Sequence, residues 1–166
     1  MNMALLTHRG LVRIRRFVLG GALLVALDVA FAQLTVLEVV PPSLGTWFSG
    51  APGRQFILNT DETVGGANAA DYVFGAVSGQ LEVRKTQGPG SVNITADNFL
   101  GAGGVTIMAV PCRWHDQPQT TCDAPGITVA LSATRTLYVG VDINTTVVHV
   151  GGDTANASYD ITVTLL

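Results

Sequence analysis

The chain has 166 residues, enough for one domain with a core of its own. Apolar residues make up 48% and charged residues 13%, about half the usual charge content, which excludes a charged disordered chain and a coiled coil. A net charge of −3 argues against a nucleic-acid binder, which needs a basic stripe.

Arg9, Arg13, Arg15 and Arg16 precede an apolar run from Phe17 to Leu27, and the small-x-small triplet Ala30-Phe31-Ala32 follows. A basic segment, an apolar stretch of about 7–15 residues and such a triplet form the pattern of a secretory signal peptide, cut between Ala32 and Gln33. A membrane anchor needs about 20 apolar residues, and Asp28 interrupts this run too early. The expected organisation is therefore a signal peptide over 1–32 and a single domain over 33–166, with no membrane span in the mature chain. Cleavage removes four of the nine basic residues and one of the twelve acids, which moves the net charge from −3 to −6. Such a surface suits a secreted protein that meets protein or carbohydrate and repels phosphate backbones.

From there the chain reads as strands. Leu34 to Val40 is a first strand that stops at Pro41-Pro42. Residues 54–59, 71–77 and 105–110 are more continuously apolar, as central strands are. Residues 80–84, 92–95, 127–131, 137–144 and 159–165 alternate apolar and polar, as half-buried antiparallel strands require. Leu137, Val139, Val141 and Ile143 share one face, as do Tyr159, Ile161, Val163 and Leu165. Turn signals separate the runs at 50–53, 65–66, 88–90, 101–104 and 151–153. About nine strands at this spacing predict an all-β antiparallel sandwich, with a closed barrel as the competing architecture.

Cys112 and Cys122 are the only cysteines, and downstream of an export signal they are expected to pair. A metal site built from Cys112, His115, Asp116 and Cys122 lacks the two-to-four-residue cysteine spacing of zinc centres. The loop between the cysteines holds Arg113, Trp114 and His115, a candidate partner contact because Trp and Arg are enriched in binding hot spots. The alternative is that Trp114 folds back over the end of the sandwich. No nucleophile elbow, zinc-protease helix or phosphate loop occurs, so no catalytic residue, metal or cofactor is expected. Asp61, Glu62 and Asp153 fall in turns without calcium-loop spacing. Asn93, Asn144 and Asn156 begin glycosylation-type triplets of the kind that Thr- and Asn-rich strands produce by chance.

Three segments carry a family resemblance: Leu44-Gly-Thr-Trp-Phe, Leu137-Tyr-Val-Gly-Val-Asp-Ile, and Tyr159-Asp-Ile-Thr-Val-Thr. Through them the mature chain resembles the bacterial secreted family called domain of unknown function 4402, and more loosely the spore-coat-U and fimbrial-subunit sandwiches. That resemblance implies an immunoglobulin-like sandwich with a surface or pilin-like role and carries over no catalytic residues. The function expected is a secreted structural or adhesive subunit, found in the periplasm, at the cell surface or outside the cell. Its partners would be proteins, including its own copies joined by strand addition. The alternative is a soluble monomeric binding module that uses loop 112–122. Leu34 to Val40 could serve as the donated strand, or be the first strand of its own sheet.

Overall fold

The computed structural model describes residues 34–40, 42, 43, 45–47, 51–66, 72–86, 88–101, 103–148 and 158–166. The signal-like segment with its Ala32–Gln33 cleavage site, Asp153 and Asn156 lie outside the described residues.

The described chain is all-β. Its strands are β1 (Leu34–Val40), β2 (Thr46–Trp47), β3 (Gln55–Leu58), β4 (Val64–Gly65), β5 (Tyr72–Phe74), β6 (Gly79–Lys85) and β7 (Gly90–Leu100). They continue with β8 (Val105–Ala109), β9 (Pro111–Trp114), β10 (Thr120–Thr121), β11 (Ile127–Leu131), β12 (Arg135–Val139), β13 (Val141–Thr145) and β14 (Ser158–Leu165). Every strand pair is antiparallel. One sheet runs β1-β6-β12-β9-β10, a second β11-β7-β14 and a third β4-β3-β13-β8, with β2 and β5 paired apart from them.

Alternation explains the layering. In β6, Leu81 and Val83 are buried while Glu82 and Arg84 point outward and pair at 3.0 Å. In β7, Val92, Ile94 and Ala96 are buried and face the same core. Phe56, Leu58, Ile107 and Ile143 join them from the third sheet, so the three main sheets enclose one apolar cluster in a sandwich-like arrangement.

Two long runs cross from sheet to sheet, and this accounts for more strands than the nine runs of sequence. The 137–144 alternation stays in phase across Gly140, with Leu137, Val139, Val141 and Ile143 all buried. At Gly140 the chain nevertheless leaves one sheet as β12 and enters another as β13. Its partner run does the same at Val110, between β8 and β9. The ladder groups freed at the crossing are satisfied locally: Gly140 N–H donates to the Pro111 carbonyl at 2.7 Å, and Val110 N–H to Asp123 Oδ1 at 2.8 Å. Period-2 patterning reports which side faces the core, not which sheet holds the strand. The two-residue strands β2, β4 and β10 are too short to carry any period.

Two expectations shift in detail. The 71–77 run forms no central strand: β5 spans only Tyr72–Phe74 and pairs with β2, and Val77 makes an isolated bridge to Ser43. The Leu34–Val40 segment pairs within its own domain, from Leu34 opposite Lys85 to Val40 opposite Gln80, as the edge strand beside β6.

Strand order also places the edges. Trp114 of β9 donates its indole N–H to the Ala130 carbonyl of β11 at 3.3 Å, and Ala96 of β7 bonds to the Cys122 carbonyl beside β10. The β9–β10 side of the first sheet therefore lies over the β11 side of the second.

Candidate functional site

Two features stand out: the loop closed by the disulfide, and the edge made by β14. Cys112 and Cys122 form a disulfide with Cα atoms 5.7 Å apart, and both residues are fully buried. β9 supplies Cys112, and Cys122 follows β10, so the crosslink staples a two-strand ribbon at its base.

Alternation along β9 separates the three expected contact residues. Trp114 is 5% exposed, with its ring in the core and its indole N–H bonded across the sandwich. It is therefore a core residue of β9, with almost none of its surface exposed. Arg113 points the other way, its guanidinium 4.2 Å over the Tyr138 ring, where cation–π attraction holds it against the outer sheet face. Its Nη1 also donates to the His115 carbonyl at 3.1 Å. His115 turns the chain with a positive φ of 49°, donates its N–H to Thr136 and is exposed. Of the three, Arg113 and His115 remain on the outside.

Gln119 holds the far side of the loop. Its Oε1 accepts both the N–H and the hydroxyl of buried Thr60, each at 2.8 Å, and its Nε2 donates to Asn59 Oδ1 at 3.0 Å. Nothing in Gln-Pro-Gln-Thr-Thr marks this residue as an anchor, because its partners are about sixty positions away. Together with the disulfide, the clamp ties the loop to the turn at Asn59 and Thr60. In the neighbouring turn, Asp61 accepts from the Thr63 hydroxyl at 2.6 Å and from its N–H at 3.1 Å. Those bonds, with a smaller contribution from the Arg113 charge, hold the Asp61 carboxyl below its ordinary value. Among the described residues, no group of three His, Cys, Asp or Glu side chains could hold a metal ion.

On the third sheet, Asp142 accepts two hydrogen bonds from Gln55 Nε2 at 3.1 and 3.0 Å. Burial nonetheless raises its carboxyl above the ordinary value, and the nearby Asp123 charge adds to the rise.

The second feature is an edge. β14 pairs along its length with β7, from Ser158 opposite Leu100 to Leu165 opposite Val92, and among the described residues its other side has no partner strand. Tyr159, Ile161, Val163 and Leu165 pack on the core but are only half-buried, while Thr162 and Thr164 are exposed. The Tyr159 hydroxyl donates to the Gly140 carbonyl at 3.1 Å, which fastens β14 to the crossing point. No helix among the described residues is long and apolar enough to cross a membrane.

No family model, curated protein or solved structure matches the chain.

Proposed function

We propose that this chain is an exported, non-catalytic structural protein: an immunoglobulin-like sandwich that follows a cleaved signal peptide and works at the cell surface or in a fibre by joining to its own copies. The observation that carries this reading is β14, an eight-residue strand at a sheet edge with a half-buried apolar row and no partner strand among the described residues. Long uncovered edges recruit strands, and most proteins that remain monomeric blunt them. The basic-apolar-small pattern over 1–32 and the core disulfide both suit an oxidising compartment outside the cytoplasm. The resemblance to secreted sandwich families points the same way.

The test is light scattering with size exclusion on protein recovered from the periplasm, across about 1–300 µM. Oligomers that persist on dilution support the structural subunit. A compact monomer throughout overturns it and leaves the second reading, a binding module. That second reading rests on the Gln119 clamp and the disulfide, because a loop held rigid before binding loses little entropy on contact.

A further inference from the structure

We propose that two copies of this chain join β14 to β14 antiparallel about a two-fold axis at Thr162, which extends the three-stranded sheet across both molecules. The proposal rests on the structural-subunit reading and names the partner and register of the same edge; such a two-fold contact closes at two copies, so the dimer is the unit from which a fibre is built through a second surface.

The edge differs from the others. Strands β4 and β10 have two residues each, and β8 and β11 have five. β1 has a register irregularity between Glu38 and Val40. β14 carries one charge, Asp160, near its start, and from Ile161 to Leu165 it has no charge, proline or glycine, the devices that blunt an edge. Its partner β7 absorbs the one irregularity of the pair, near Asn98 at φ 51°, so β14 itself stays regular.

The backbone fixes which groups face outward. Leu166 N–H donates to the Ser91 carbonyl of the β7 side at 2.9 Å. In an antiparallel ladder the bonding direction alternates residue by residue. Thr162 and Thr164 therefore turn their amides toward β7, and Ile161, Val163 and Leu165 turn theirs to the open side.

A second β14 can meet these groups in few ways. Residue numbers in each opposed pair must sum to an even number, or the apolar row of one copy would meet the polar row of the other. With Asp160 on the axis the two carboxylates would face each other, which is unfavourable. With Thr162 on the axis, residues 158–166 overlap along their whole length, the longest register available. Ile161 then lies opposite Val163 twice, a β-branched pair on the core side, and Asp160 lies opposite Thr164. The contact is self-complementary, as a two-fold interface must be. It would also lengthen the apolar row that each copy leaves half-buried.

Register-specific cysteines test this in the exported full chain. The native cysteines are paired and no free thiol is present, so an added cysteine is the sole reactive one. At the axis, Thr162→Cys brings two Cα atoms to about 4.5 Å, within disulfide reach. Thr164→Cys leaves its copies about 14 Å apart, four residues of offset at about 3.4 Å each, beyond that reach. Thr162→Cys should give a covalent dimer under mild oxidation and Thr164→Cys should not. Thr162→Lys, at an exposed position that leaves the monomer folded, should weaken dimerisation more than tenfold. Equal crosslinking by both cysteines, or oligomers in which Thr162→Cys never links, would overturn the register while the subunit reading stands. Protein that is monomeric by light scattering at about 300 µM overturns both.

Discussion

A methyl group at residue 140 would have no room. An added Cβ would fall on the Leu58 carbonyl oxygen, against the backbone of β3. Gly140 is therefore the hinge where β12 becomes β13, and Gly140→Ala should cost about 2–4 kcal/mol, since backbone cannot yield as a side-chain tip can. Urea unfolding measures it, and an unchanged midpoint would refute the assignment. Asp142 acts through charge. Its carboxyl binds a proton more tightly in the folded chain than in the unfolded one, where the ordinary value is 3.8. Such a group favours folding below that value, and the contribution is lost as pH rises through the raised folded value. Asp61 has the opposite sign: its contribution is present above 3.8 and fades as pH falls through its lowered folded value. Asp142→Asn should consequently gain stability over the parent at pH 7 and show little gain at pH 3, measured by urea midpoints. A gain independent of pH would mean that shape or hydrogen bonding, not charge, sets the difference. Neither residue can be picked out in the sequence. Gly140 sits inside an unbroken alternation, and Asp142 looks like any outward-facing acid until β3 brings Gln55 to it.

At the scale of elements, pattern and structure agree where burial is one-sided. β6, β7, β11 and β14 were legible because each buries one face and wets the other. β5 was not, because its partners, Thr46 and Trp47, lie more than twenty positions away in a two-residue strand that period and propensity do not encode. The first strand illustrates a different limit. Leu34 to Val40 alternates no better than a donor segment would, and only its register against β6 decides that it serves its own sheet. Removing 33–40 should leave β6 as a bare edge and lower the unfolding midpoint of the monomer. A folded monomer of unchanged stability would mean that this strand contributes nothing in its own domain. The disulfide was legible from the expected export and the count of two cysteines alone. Replacing Cys112 and Cys122 together by alanine should cost about 2.5–3 kcal/mol, the loop-closure entropy of so short a ring. Reducing the parent protein should cost a similar amount, and a much smaller loss would mean that the ribbon of β9 and β10 is held by its hydrogen bonds and the Gln119 clamp instead.

For the whole molecule, the crossings at Val110 and Gly140 matter more than the number of strands. In a sandwich whose sheets share no strand, one layer can loosen while the other persists. Here β8–β9 and β12–β13 form one antiparallel ribbon that belongs to two sheets at once. Trp114 and Tyr159 add hydrogen bonds between layers, from β9 to β11 and from β14 to Gly140. Unfolding either sheet strips partners from the other, and the apolar cluster that both enclose is continuous. The described chain should thus unfold as one cooperative unit, as small single domains do. Trp114 reports on the core and far-ultraviolet circular dichroism on all strands. In a Trp47→Phe background, where fluorescence reports Trp114 alone, the two probes should trace the same urea curve. Gly140→Ala should shift both curves together. If Trp114 were released before the strand signal fell, the β9–β11 contact would be a lid over an independently stable sheet, and the shared ribbon would not be what unites the fold.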